Sequence, residues 1–139
     1  MKTYEVAVAA IVSDWLLLCT QRGPSQYDYI AHKFQFPGGT IESDEMGSEA
    51  LKRALEKDLN LSLEITEDHH MMTVEHQYPD FKVILHVYKI EAENVADHLI
   101  DHIDHVWADS GMIYFLEWAD ADFKVMNKII DEGLIDWQV

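Results

Sequence analysis

Two stretches of the chain carry residues whose types and spacing could do chemistry. In the first, Phe36-Pro37-Gly38-Gly39 is followed by Glu42, Glu45, Arg53, Glu56, Lys57 and Asp58 before Leu61. Carboxylates gathered on one helix face bind hard divalent cations such as Mg²⁺ or Mn²⁺ through oxygen. Ions so held neutralise phosphates and activate water. In the second, Asp97-His98, Asp101-His102 and Asp104-His105 set three histidines at i, i+4 and i+7. On a helix these share a face, a spacing compatible with zinc or nickel. A solvated acidic stretch is the commoner meaning of such a run.

The surrounding elements must position these residues. Tyr4 to Val12 is apolar and β-branched and reads as a buried strand. Ser13-Asp14 is a turn, and Trp15 to Gln21 reads as a second strand. Arg22-Gly23-Pro24-Ser25 is loop, since Gly-Pro is a strong breaker. Phe34-Gln35-Phe36 is a short extended piece, and Gly38 and Gly39 are expected in a loop. From about Met46 to Leu59 the apolar positions Ala50, Leu51, Ala54, Leu55 and Leu59 recur at helical spacing. Asn60 is a plausible left-handed C-cap, and Ser43, Asp44 and Ser48 are the candidate N-caps. Gly47 in the first turn looks costly. A strand lies within Leu61 to Val74, Tyr78-Pro79-Asp80 is a turn, and Phe81 to Ile90 is another strand. His98 to Trp107 is ambiguous. A last helix runs from about Ala121 to Glu132 and stops at Gly133. Strands interleaved with two helices imply an α/β class with a mixed sheet.

Composition bounds the function. With 139 residues and 48% hydrophobic content, the chain suits one domain with a real core. Ten basic residues against 26 acidic ones give a net charge of −16. Such a surface repels a nucleic acid polymer, which is gripped through Lys and Arg. A nucleotide is a smaller demand, met by a few local donors. No run approaches the ~20 apolar residues of a membrane span, and the first apolar run is too short for a signal peptide. Cys19 is the only cysteine, which suits a reducing compartment. A cytoplasmic protein is expected, and a homodimer is left open.

The first stretch resembles the box of the Nudix family. That signature runs Gly, five residues, Glu, seven residues, then Arg-Glu-apolar-any-Glu-Glu-any-Gly-apolar. Here Gly39, Glu45 and Arg53 keep the spacing, followed by Ala54, Leu55, Glu56, Lys57, Asp58, Leu59, Asn60 and Leu61. The resemblance implies the Nudix fold, an α/β/α sandwich with a mixed sheet. It also implies that the three clustered glutamates of the box fall at Ala54, Lys57 and Asp58. One carboxylate is deleted, one is reversed in charge and one is shortened. A cation beside a metal opposes it by ~4 kcal/mol at 4 Å and an effective dielectric of 20.

The rest of the chain looks closest to the MutT-like branch. That branch hydrolyses CTP, modified dCTP or oxidised dGTP to the monophosphate and pyrophosphate. Thr20-Gln21-Arg22-Gly23, Thr73-Val74-Glu75, Tyr78-Pro79-Asp80-Phe81, His86, Trp107 and Trp118-Ala119-Asp120-Ala121-Asp122 carry the likeness. It implies that Arg22 reaches phosphate, Asp122 contacts the base edge and Gln35 helps hold the nucleoside. The plainer alternatives are a solvated strand end for Arg22, an N-cap for Asp122 and a sheet edge for Gln35. Phe34, Phe36, Tyr78 and Phe81 fit core better than base stacking. The likeness puts the histidine run in loop and strand, where its rings diverge, and gives Asp101 a role assisting metal or water. The implied protein binds a nucleotide or another nucleoside diphosphate derivative, with metal-dependent hydrolysis weakened or lost. The first alternative is an active Mg²⁺- or Mn²⁺-dependent pyrophosphohydrolase. It would use Asp58, Glu56 and Arg53 for catalysis, with Gly39, Asp58, Glu42 and Asp101 around the metal. A non-enzymatic interaction protein is the second.

Overall fold

The computed structural model describes residues 1–93, 95 and 104–137. Along the chain these form β1 (Lys2–Ser13), β2 (Leu16–Gln21), β3 (Phe34–Gln35), β4 (Gly38–Thr40) and α1 (Gly47–Leu59). There follow β5 (His70–Gln77), β6 (Phe81–Glu91), β7 (His105–Ala108) and α2 (Asp120–Asp131). Short 3₁₀ turns cover Glu67–His69 and Met112–Phe115. A mixed sheet with two helices is the expected α/β class. Among the described residues no helix is long and apolar enough to cross a membrane. The chain divides into two compact units, Met1–Ala10 with Pro37–Ile90, and Ile11–Phe36 with Glu91–Val139.

In the first unit the strands run in the order β1, β6, β5, with β4 on β1. The expected loop at Gly38-Gly39 is a correction, because these residues form β4, antiparallel to Val6–Val8 of β1. The missing side chain is the reason. A Cβ on Gly38 would stand 2.0 Å from the Ala7 carbonyl oxygen, so only glycine lets the two backbones close to pairing distance. The β5–β6 hairpin pairs Met72 with Val87 through to Gln77 with Lys82.

Helix α1 buries Ala50, Leu51, Ala54, Leu55 and Leu59 at the expected spacing, along with Ser48. It ends where Asn60 turns left-handed at φ 54°, a conformation asparagine tolerates better than most residues. Its start differs from expectation. Met46 is the N-cap, in place of Ser43, Asp44 or Ser48, and its backbone N–H donates to Glu49 Oε1 at 2.8 Å. The Ser48 N–H donates to Glu67 Oε2 at 2.9 Å. Orphan donors at a helix start need such acceptors. Gly47 also has its reason here, since a Cβ would fall 2.3 Å from the Tyr88 hydroxyl oxygen.

In the second unit β2 pairs with β3, with β7 and with the last residues of β1. The β1–β2 connection is the two-residue turn Asp14-Trp15, with φ of 51° and 63°, the backbone of a type I′ hairpin. A parallel bridge joins Phe34 to Trp118. Helix α2 buries Ala121, Asp122, Val125, Met126 and Ile129, and the chain leaves it through Gly133 at φ 60°. Leu17, Leu18, Cys19 and Ile113 are fully buried in the same unit. Burial pushes the Cys19 thiol up to about 12, so this cysteine is inert packing. Asp101, His98 and His102 lie outside the described residues. His105 is the first residue of β7, opposite Thr20.

Candidate functional site

The candidate residues of the first unit stand on and before α1. Arg53 donates from Nη2 to the Thr40 carbonyl at 3.1 Å and pairs with Glu45. Glu45 Oε1 also accepts the Glu42 N–H at 2.9 Å. The Arg53 hydrogen bond first, and the Glu42 N–H second, hold the Glu45 carboxyl below the usual carboxylate range. Both groups are thereby committed to the turn between β4 and α1. Glu56 accepts from the Ser62 hydroxyl at 3.3 Å.

Positions 54, 57 and 58 share one side of α1. Ala54 is only 6% exposed, and a Cβ on Gly39 would meet the Ala54 Cβ at 2.9 Å. The methyl and the glycine therefore pack face to face. Lys57 and Asp58 are exposed. Among the described residues no three His, Cys, Asp or Glu side chains converge as they would to hold a metal ion. A cleft of about 620 Å³ lies beside α1, lined among others by Glu49, Lys52, Arg53, Glu56 and Glu67. It includes none of positions 54, 57 and 58.

Glu67 and Tyr88 are the residues that sequence reasoning missed in this unit. The Tyr88 hydroxyl donates to both Glu67 oxygens, at 3.1 and 3.0 Å. Bonds from Ser48 foremost, with a further one from Tyr88, hold the Glu67 carboxyl below its ordinary range. Nothing local announces this partnership, because Glu67 lies 19 residues from Ser48. Thr73 and His86 meet across β5 and β6 at 3.3 Å, and His86 Nε2 reaches Glu5 at 2.9 Å.

The second unit brings Arg22, Gln35 and Asp122 together. Arg22 Nη1 donates to Gln35 Oε1 at 3.4 Å, and Thr20 Oγ1 donates to the Gln35 carbonyl at 3.0 Å. Asp122 is not the N-cap of α2, which is Ala119. It sits in the first turn, 7% exposed, and its Oδ1 accepts the Phe36 N–H at 3.0 Å. Burial pushes its carboxyl up to about 7, against the pull of that N–H, of its own backbone N–H and of the Arg22 charge. Phe36 stacks on Trp118 with centroids 5.0 Å apart. Phe36 and Tyr78 are core, as expected, while Phe34 and Phe81 are half-buried.

Residues 3–127 match the family model of the NUDIX domain. The chain belongs to the Nudix family. A MutT protein of methicillin-resistant Staphylococcus aureus 252, described as a Nudix hydrolase, is 32% identical. The alignment covers 96% of this chain and 100% of that one, with a TM-score of 0.68. The MutT protein of Methanosarcina mazei Go1 has the same fold at TM-score 0.76 and 21% identity, over 96% of both chains. The Ap4A hydrolase of Caenorhabditis elegans follows at TM-score 0.72 and 18% identity, over 95% of this chain and 98% of that one. None of the curated proteins matches the sequence significantly. Nudix hydrolases generally use divalent metals and act on nucleotide-derived substrates. The described residues of this Nudix box do not fit a carboxylate metal cage. On α1 Ala54 is buried and Lys57 and Asp58 are exposed, and no metal-assisted step follows from them.

Proposed function

We propose that this Nudix chain binds a nucleotide, or another nucleoside diphosphate derivative, with metal-dependent hydrolysis weakened or lost. The observation that carries the reading is the face of α1, where Ala54 is packed on Gly39 and Lys57 is exposed beside Asp58. Without clustered carboxylates the reaction lacks its main charge stabilisation and its activated water. Lys57 then supplies part of the positive charge that a metal would bring. Arg22, Gln35 and Asp122 are the residues proposed to hold the nucleoside and its phosphate. Their mutual contacts in one unit support that role.

The test is pyrophosphate release from CTP and dGTP analogues with Mg²⁺ and Mn²⁺, together with calorimetric metal titration. Little turnover is expected from the natural chain. Turnover at ~1 s⁻¹ or faster, near ordinary enzyme rates, would overturn the reading. Lys57→Glu and Ala54→Glu restore the two ligands, and because they act on one site their effects should be strongly non-additive. A double variant that binds Mg²⁺ no better than the parent places the defect elsewhere, first at the Met46-Gly47 helix start. An active pyrophosphohydrolase is the second reading. It is favoured by the retained Glu45, Arg53 and Asp58 and by the hydrolase relative at 32% identity.

A further inference from the structure

We propose that the β5–β6 hairpin carries a site for a nitrogen-preferring divalent cation, Zn²⁺ foremost, held by His70, His86 and the Thr73 hydroxyl. The site lies wholly within the first unit and is independent of the nucleotide reading. His70 Nε2 stands 2.9 Å from Thr73 Oγ1, and His86 Nδ1 stands 3.3 Å from the same oxygen. His70 and Thr73 are three apart on one strand, which in regular β-structure would put them on opposite faces. The β5–β6 register shifts between His70 and Met72. A bulge of this kind adds one residue and turns His70 to the face of Thr73. Their cross-strand partners, Tyr88 and His86, are two apart on β6 and share that face.

His86 is already set as a ligand. Its Nε2 lies 2.9 Å from Glu5 Oε1 on β1. A carboxylate only accepts, so Nε2 carries the proton, and the neutral ring leaves Nδ1 bare toward Thr73. A carboxylate behind a ligating imidazole fixes its tautomer and raises its basicity. Glu67 adds a second negative charge within Coulombic reach of His70. Ligand atoms of a tetrahedral ion with bonds of roughly 2.1 Å lie about 3.4 Å apart, against 2.9 and 3.3 Å for the two N···O separations here. Two imidazoles on one such ion hold their ring centroids about 5 Å apart, and those of His70 and His86 are 6.3 Å apart. Binding therefore draws the rings together by about 1 Å, a small rotation for the exposed His70. Among the described residues no third His, Cys, Asp or Glu joins the pair, so the hydroxyl and water complete the shell. Two imidazoles suit Zn²⁺, Ni²⁺ or Cu²⁺, whereas Mg²⁺ takes oxygen ligands.

The experiment is calorimetric titration of the whole chain with Zn²⁺ and with Mg²⁺ at about pH 7.5, because metal binding needs the neutral imidazole. It is repeated in a His98→Ala/His102→Ala background, which removes the rival histidine run. One Zn²⁺ per chain is expected in that background, bound more tightly than Mg²⁺. His70→Ala and His86→Ala should each weaken it roughly tenfold or more, since each removes one of two nitrogen ligands. Glu5→Gln should weaken it by about tenfold, acting through His86, and Thr73→Val severalfold. In EDTA these variants should melt with the natural chain, and Zn²⁺ should raise the melting temperature of the natural chain more than theirs. A variant that melts lower in EDTA has lost structure as well, and the natural chain then decides. In it, Zn²⁺ should shift the imidazole ¹⁵N resonances of His70 and His86. Zn²⁺ affinity unchanged in a His70→Ala/His86→Ala double variant overturns the proposal. So do resonance shifts confined to other histidines, one ion shared between two chains, or Zn²⁺ binding no tighter than Mg²⁺.

Discussion

Replacing Asp122 by asparagine isolates one buried ionisation. The carboxyl is folded into the first turn of α2, accepts the Phe36 N–H at 3.0 Å and is almost wholly shielded from water. Burial raises it from an ordinary 3.8 to about 7, outweighing the two backbone N–H groups and the Arg22 charge. A folded-state pKa above the unfolded one means that the folded chain binds the extra proton. Stability from this group is therefore fully present below about pH 3.8 and is lost as pH rises through about 7. At 1.36 kcal/mol per pKa unit the rise comes to about 4 kcal/mol, an order-of-magnitude ceiling. The Asp122→Asn variant keeps an oxygen to accept the Phe36 N–H and cannot ionise. Its new amide hydrogens need partners, which sets an offset of about 1–3 kcal/mol at all pH values. The slope is thus the readout. Urea unfolding at about pH 5 and about pH 8.5 should show the natural chain losing about 2–3 kcal/mol more than the variant, since about 2 of the pKa units fall inside that interval. In melting temperature this is about 3 °C per kcal/mol at this chain length. Parallel profiles for the two proteins would refute the assignment of a buried, proton-binding carboxylate at 122.

Gly47→Ala should destabilise by about 1–3 kcal/mol although alanine is the better helix former, because its Cβ would press on the Tyr88 hydroxyl. In a Tyr88→Phe background most of that loss should disappear, and a double-mutant cycle in urea measures it. Replacing Asp14-Trp15 by Asn-Gly should raise stability by about 1 kcal/mol, since Trp15 holds φ 63° and glycine does so without strain; a lower melting temperature would count against it. Glu67→Ala should cost about 1–2 kcal/mol by removing the acceptor of the Ser48 N–H. The carboxyl of Glu67 is held low, so its contribution is present above the ordinary carboxylate range and fades as pH falls through its folded pKa. Chemical unfolding at neutral and acid pH checks both halves of that statement.

The elements visible in the sequence were those set by short-range periodicity. Helix α1 is legible because Ala50, Leu51, Ala54, Leu55 and Leu59 repeat on one face, and Asn60 marks its end. Gly38-Gly39 reads as a loop by composition. It becomes a strand only because Ala7 lies opposite it, 31 to 32 residues away in the chain. The helix start was misread for the same reason. Short polar residues near Met46 suggested caps, whereas Glu67, together with Glu49, supplies the acceptors. Arg22, Gln35 and Asp122 were legible as candidates through a family likeness alone. The burial of Asp122, its link to the Phe36 backbone and its raised pKa arise from packing that no local pattern encodes.

The residues of the box differ in what they do for the backbone. Gly38 and Gly39 permit close approach to Ala7 and Ala54, Glu45 and Arg53 fix the turn before α1, and Leu55 and Leu59 fill the core. Each would be costly to lose whether or not the chain performs any chemistry. Lys57 and Asp58 are solvent-facing. Ala54 is a buried contact with Gly39, so a glutamate placed there would have to displace that packing. The spacing and fold of the signature thus rest on residues other than those three. By this reasoning the box establishes the family, and its three ligand positions, judged separately, bear on the activity.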